Sequence, residues 1–282
     1  YNLGVTLQEL DQLEAAVKSY KQALVIKPDY AIACNNLGIT LKKLGQLDAS
    51  IKSFEQALAI KPDYADAHNN LGNTLRDLNQ LDAAVKSYEN ALAIKPDFAD
   101  AHNNLGATLQ ELDQLDAAVK CFKQVIAINP DYADAHYNLG NVLKKLNQLD
   151  AAVKSFEKAL TIKPDYAEAL NNLGNTLIDL VQPDAAIKSF EKALAIKPDY
   201  AEALNNLGNT FNDLGQLDAA LVSFERALAL NPELNFLLGQ SLHTKMTLCL
   251  WDDLPNRLNE LTKKINNNEK VIEPFSMLAL ID

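Results

Sequence analysis

Between residues 167 and 200 the apolar side chains Leu173, Leu177, Ala186, Phe190, Ala193 and Leu194 fall at helical spacing in two runs, with Asn, Asp, Glu and Lys between them. Apolar residues at i, i+3 and i+4 lay one stripe along a helix, so this stretch predicts two amphipathic helices. The same pattern recurs along most of the chain. Leu-Gly pairs stand at Leu3-Gly4, Leu37-Gly38, Leu71-Gly72, Leu105-Gly106, Leu139-Gly140, Leu173-Gly174 and Leu207-Gly208, a period of 34 residues. Prolines keep that interval at Pro28, Pro62, Pro96, Pro130, Pro164, Pro198 and Pro232. A fixed period of this length marks an array of stacked supersecondary units.

Counted from the second residue after each Pro-Asp pair, complete units run 31–64, 65–98, 99–132, 133–166, 167–200 and 201–234. Positions below are numbered within these units. Residues 1–30 form a unit without its first four positions. The chain is therefore expected to begin inside a helix, as a fragment that any targeting signal would precede. The first helix of each unit is expected from position 1 or 2 to about 14, and the second from about 17 to 30. Position 15 reads Asp11, Gly45, Asn79, Asp113, Asn147, Val181 and Gly215. All but Val181 are types that tolerate a left-handed backbone, the usual way to end a helix. Val181, with Pro183 in place of the usual leucine, predicts an altered turn over 180–184. Acid–lysine pairs four apart (Asp48/Lys52, Asp82/Lys86, Asp116/Lys120, Asp150/Lys154 and Asp184/Lys188) are expected on a solvated face of the second helices. Such pairs contribute a few tenths of a kcal/mol each.

Asparagine or glycine inside a helix costs roughly 0.5–1 kcal/mol against alanine. Yet "EALNNLGNT" occurs at both 168–176 and 202–210. The glycine lies in the stripe where the two helices meet, and a side chain there would hold them apart. Burial of one phenylalanine, at about 25 cal/mol per Å2, outweighs that cost. No unit buries its stripe alone, so stability has to come from stacked neighbours.

Composition narrows the function classes. The 282 residues are 48% hydrophobic and 22% charged, enough apolar material for a folded core. A net charge of −11 argues against nucleic acid as a partner, which needs clustered Lys and Arg. No apolar run approaches the ~20 residues of a membrane span. Cys34, Cys121 and Cys249 are odd in number, far apart and outside any CxxC motif, which reads as reduced thiols in a cytoplasmic protein. His68, His102 and His136 recur at position 4 without the spacing of a helical ligand pair, so packing is expected of them and no metal. No cofactor and no catalytic group is implied.

Leu and Gly at positions 7 and 8, Ala at 20, Tyr or Phe at 24, Ala at 27 and Pro at 32 resemble the tetratricopeptide repeat over residues 1–234, with Ser50 and Val125 departing from the alanines. The resemblance implies an all-α solenoid, in which antiparallel helix pairs wind into a right-handed superhelix and the first helices line a concave groove. In that geometry position 6 projects into the groove. It is asparagine throughout: Asn2, Asn36, Asn70, Asn104, Asn138, Asn172 and Asn206. An amide offers an acceptor and two donor hydrogens, which suits the unpaired main chain of an extended peptide. Hydrogen bonding within or between repeats is the other reading of the same residues. Asn73, Asn141, Asn175 and Asn209 at position 9, and Asp66, Asp100 and Asp134 at position 2, are further candidate groove contacts. With Glu168 and Glu202, position 2 makes one groove edge acidic. Members of the family that clamp a peptide's C-terminal carboxylate place Lys and Arg at positions 2 and 5. Here those positions carry acids, Asn35, Asn69, Asn103, Asn171, Asn205, Ile32, Tyr1 or Tyr137, so an acidic end would be repelled.

The sequence period stops after Pro232. Leu254, Leu258, Leu261 and Ile265 then predict a helix capped by Asp252 or Asp253, within a capping and junction region over 235–282. "LLGQSLHTKMTLCLWDDL" followed by "EPFSMLALID" resembles the junction of repeat arm and catalytic domain in O-linked N-acetylglucosamine transferases and the related SPINDLY proteins. "DAHNNLG" at 66–72 and 100–106 is similar to that family's repeats. The resemblance implies a substrate-selecting arm without catalytic activity, the enzyme domain lying beyond Asp282. The alternative is an autonomous scaffold holding a folded partner, the tail serving only as a cap. Stacking faces left open at the two ends add a homodimer or end-to-end self-association to the expected partners.

Overall fold

The computed structural model describes residues 1–234, 236–250 and 254–267, and these form sixteen helices and no strand. Residues 1–146 are one compact unit and those from 147 another. The first holds α1 (Asn2–Glu9), α2 (Leu13–Ile26), α3 (Ala31–Lys43), α4 (Leu47–Ile60), α5 (Ala65–Asp77), α6 (Leu81–Ile94), α7 (Ala99–Glu111), α8 (Leu115–Ile128) and α9 (Ala133–Lys145). The second holds α10 (Leu149–Ile162), α11 (Ala167–Asp179), α12 (Pro183–Ile196), α13 (Ala201–Asp213), α14 (Leu217–Leu230), α15 (Leu237–Thr247) and α16 (Leu254–Asn266). The complete repeats thus carry helices at positions 1–13 and 17–30, within a residue of the expected bounds. The chain is an all-α solenoid.

The first helices α1, α3, α5, α7, α11 and α13 each stop in a pair of reversed hydrogen bonds. In α3 the amide of Gly45 donates to Lys42 O and that of Gln46 to Leu41 O, while Gly45 sits at φ +72°. This C-cap satisfies carbonyls that the helix leaves open and demands a left-handed residue at position 15. Val181 meets the same demand. It adopts φ +58°, its amide donates to Ile178 O, and Gln182 donates to Leu177 O, both at 2.8 Å. The altered turn expected over 180–184 is absent. The backbone bonds override the side chain's preference, and Pro183 fits as the first residue of α12, where its missing N–H has no partner to lose.

The acid–lysine pairs on the second helices also differ from expectation. None of Asp48/Lys52, Asp82/Lys86, Asp116/Lys120, Asp150/Lys154 or Asp184/Lys188 closes into an ion pair among the described residues. Both side chains stay in water, where holding two flexible chains together gains little. Charges act instead in the loops between repeats. Lys61 lies over the Tyr64 ring at 5.1 Å and Lys163 over Tyr166 at 4.3 Å, with the same contact at Lys27, Lys95 and Lys197. Where asparagine replaces that lysine, at Asn129 and Asn231, its side-chain oxygen accepts the amide two residues on and holds the turn.

The core follows the apolar stripe. Phe54, Phe122, Phe156, Phe190 and Phe224, with Tyr20 and Tyr88, are fully buried at position 24 of their repeats. A Cβ on Gly174 would stand 2.5 Å from the Phe190 ring, and Gly38 and Gly72 meet Phe54 and Tyr88 as closely. Position 8 is glycine because the ring of the facing helix lies against its backbone. Ser50, in the place of an alanine, turns its hydroxyl to donate to Gly38 O at 2.8 Å. First helices also touch the first helices of neighbouring repeats: α3 packs on α5, α5 on α7, α7 on α9, and α11 on α13.

Backbone periodicity outlasts sequence periodicity. Cys249, 34 residues after Gly215, sits at φ +56°, its amide donating to Met246 O and that of Leu250 to Lys245 O. The helix pair α15–α16 therefore ends its first helix as the repeats do. Leu261 is buried with Leu238 and Leu242, and Leu258 and Ile265 pack against them. Asp252, Asp253 and the "EPFSMLALID" stretch lie outside the described residues.

Candidate functional site

From Asn36 to Asn206 the position-6 asparagines sit in the middle of successive first helices, while Asn2 is the first residue of α1. Tertiary packing brings position 6 of one repeat against position 5 of the repeat before. Asn70 Nδ2 donates to Asn35 Oδ1 at 3.1 Å, Asn104 to Asn69 at 3.1 Å, and Asn138 to Asn103 at 3.2 Å. In the second unit Asn206 donates to Asn171 at 3.0 Å. The row begins at Asn36, whose Nδ2 donates to the Tyr1 hydroxyl at 3.1 Å. The position-5 amides Asn35, Asn69 and Asn171 are buried, which makes an unpaired oxygen there costly and the bond worth keeping.

The position-6 side chains from Asn36 to Asn206 are half-buried, whereas Asn2 is exposed. Asn70, Asn104, Asn138 and Asn206 spend one N–H on this bond, and their Oδ1 and second N–H make no other among the described residues. The main-chain carbonyls of Asn36, Asn70, Asn104, Asn172 and Asn206 are held from within. Thr40, Thr74, Thr108, Thr176 and Thr210 at position 10 donate to the carbonyl four residues back, at 2.7–3.0 Å. Within the first unit the result is a fixed row of amides with one edge bonded and one edge open, and Asn206 has the same arrangement in the second.

The neighbouring candidates divide. Asn73 accepts a hydrogen bond from the Tyr88 hydroxyl at 2.8 Å, so its oxygen is committed to its own repeat. Burial pushes the Tyr88 phenol up to about 12, so it remains a donor throughout the neutral range. Asn175 and Asn209 are half-buried and make no hydrogen bond among the described residues; Asn141 is half-buried as well. Asp66 and Asp134 are exposed on the first turn of α5 and α9 without an ion pair. Asp100 accepts from the Tyr132 hydroxyl at 2.9 Å. Burial first, then that bond and the charges of Asp100 and Asp134, push Tyr132 up to about 12. Glu168 lies 3.8 Å from Lys197. The position-2 acids are therefore mixed: Asp66, Asp134 and Glu202 make no ion pair among the described residues, and Asp100 and Glu168 are engaged.

The histidines have a structural task. His68, His102 and His136 place Nε2 at 2.9–3.0 Å from the carbonyls of Pro62, Pro96 and Pro130, so the ring donates there and pins the loop behind it. A second set of contacts escaped sequence reasoning. Lys42 at position 12 pairs with Asp77 at position 13 of the next repeat, at 3.1 Å, and Arg76 pairs with Glu111 in the same way. Their spacing is 35 residues, one more than the period, and the amide row shares it. A search at that offset would have found both.

Comparison with protein families matches a model of the TPR repeat to residues 4–45, 40–76, 72–113 and 110–147. Two tetratricopeptide repeat models match 133–166 and 165–233. Comparison with the curated proteins finds no match. Among solved structures the chain is similar to MamA at 28% identity, over 59% of this chain and 97% of that one, with a TM-score of 0.55. It is similar to YrrB, described as a TPR protein with an unusual peptide-binding site, at 24% identity over 67% and 97%, TM-score 0.56. It also matches the hetero-tetramer Cut9–Hcn1 of APC/C at 16% identity, over 86% of this chain and 48% of that one, TM-score 0.70. The matched repeats account for residues 4–233 and contain no catalytic domain. No described helix is long and apolar enough to cross a membrane.

Proposed function

The chain belongs to the tetratricopeptide repeat family, an array of protein–protein interaction repeats, and on that premise we propose that it binds extended polypeptide along the asparagine row of its first helices. The observation that carries this is the open edge of the row. Asn70, Asn104, Asn138 and Asn206 each hold an acceptor and a donor that the array does not use. A peptide main chain has the complementary N–H and C=O groups at regular intervals, so such a row grips backbone and is indifferent to side chains. The other edge holds the row rigid, which lowers the entropy lost on binding. From the motifs at 66–72, 100–106 and after 237, the chain serves as substrate-selecting arm of a protein O-N-acetylglucosamine transferase-like enzyme, in the cytoplasm, where three free thiols persist.

The bonded edge favours a second reading, in which the asparagines only lock repeat to repeat and the chain is an autonomous scaffold for a folded partner. Two sets of variants separate them. Asn104→Ala/Asn138→Ala/Asn172→Ala removes three whole amides of the row; Asn69→Ala/Asn103→Ala removes only the acceptors of the bonded edge. In peptide-array capture, with circular dichroism confirming folded helices, the first set should lose unrelated extended peptides together while the second keeps them. Equal loss from both sets, or no loss from either, would assign the asparagines to structure.

A further inference from the structure

The 35-residue register is broken at two places beside one cavity. Ile178 occupies in α11 the position that Lys42 and Arg76 hold in α3 and α5, so Asp213 at the end of α13 lacks the cation given to Asp77 and Glu111. Asp213 makes no ion pair or hydrogen bond among the described residues. The amide row breaks one link further on. Asn205 at position 5 should accept from residue 240, which is Gln240. Asn205 Oδ1 and Gln240 Oε1 are instead the two buried side-chain oxygens without a donor among the described residues.

A polar cavity of about 360 Å3 lies here, with Asn209, Asn212, Asp213, Phe224, Gln240 and His243 in its wall. No Lys or Arg lines it, and the nearest in sequence, Lys245, is held by Glu225 at 2.7 Å. The exposed carboxylate of Asp213 and the side-chain amides of Asn209, Asn212 and Gln240 thus share one wall, with the His243 ring and no Lys or Arg beside them. Asn205 stands outside this wall and Gln240 Oε1 is covered, so what the cavity leaves unmatched is the charge of Asp213, which a ligand supplying several donors at once would meet. Turning the Gln240 amide toward Asn205 would extend the row by one rung and still leave Asp213 bare.

We propose that this cavity is a subsite for an arginine side chain of the bound polypeptide. A guanidinium presents five N–H donors in a fixed plane and sheds water more readily than an ammonium, so it can serve a carboxylate and amide oxygens together. Asn209, at position 9, belongs to both the cavity and the face proposed to hold polypeptide. The subsite rests on that reading only for how the arginine is delivered.

The pocket is testable without a peptide. In two-dimensional NMR titrations of the full chain, N-acetyl-arginine methylamide should shift the amides of Asn212, Asp213 and His243. The neutral citrulline analogue should bind at least about tenfold more weakly, a factor of ten corresponding to 1.4 kcal/mol. Asp213→Asn should lose the preference, and Ile178→Lys, which restores the internal cation, should occlude the site. Equal binding of citrulline or of the lysine analogue overturns the assignment, as does arginine binding unchanged in both variants. The arginine probe should still bind Asn104→Ala/Asn138→Ala/Asn172→Ala; peptides unaffected by that variant would remove the row from function while leaving the pocket in place.

Discussion

Position 15 shows how far a single residue is dictated by what surrounds it. Asp, Asn and Gly there advertise a left-handed backbone, and the structure places all of them at positive φ. Val181 advertises the reverse and is bent to φ +58° nonetheless. For a β-branched residue this conformation is a true outlier, costing ~1–2 kcal/mol or more from Cβ crowding. Its side chain is 84% exposed, so little packing offsets the strain. Val181→Gly is therefore expected to stabilise the chain by about 1 kcal/mol, the relief of strain exceeding the added freedom of the unfolded glycine. A rise in urea midpoint at unchanged slope checks this; a fall would mean that the valine holds a contact worth more than its strain. The position was legible as a turn from its type in the other repeats. Its strain was not, because the bonds from Val181 and Gln182 back to α11 belong to the helix end and not to the residue.

At the scale of one helix pair, glycine and aromatic ring act as a unit. Gly174 gives up helix propensity, and Phe190 fills the space, its nearest ring carbon at 2.5 Å from where a Cβ would stand. That ring is fully buried and cannot swing away without opening the pair. Gly174→Ala should therefore destabilise by roughly 1–3 kcal/mol, as overpacked cores do, despite alanine's better propensity. Adding Phe190→Leu should recover part of the loss, and a double-mutant cycle in urea should give a favourable coupling. Additive effects would place the strain elsewhere. Helix bounds, the apolar stripe and this glycine could be read from one repeat, since each depends on contacts inside it. The bonded edge of the asparagine row could not. Asn70 was visible as a candidate, but its partner Asn35 lies 35 residues back, and only stacking of α5 on α3 decides that those two amides meet.

Across the array the same logic explains why the period seemed to stop. The repeats pair a glycine at position 8 with a ring at position 24, whereas α15 and α16 carry Leu242 and Leu258 there. Small-plus-large has become medium-plus-medium, which fills similar volume and erases the Leu-Gly signature while the helix pair and the left-handed Cys249 remain. Thr244 still donates to Gln240 O at 2.9 Å, as the position-10 threonines do in the repeats. This pair then closes the apolar face of the last regular repeat, burying Leu237 against Leu204, Ala220 and Phe224. In a solenoid each repeat is stabilised by its immediate neighbours, so the loss of an end should be felt locally. Ending the chain at residue 234 should raise amide exchange most in α13 and α14, less in α12, and hardly in α10 when followed by mass spectrometry. A uniform rise from α10 to α14 would show that these repeats unfold as one block, and that α15–α16 stabilises all of them rather than the repeat it touches.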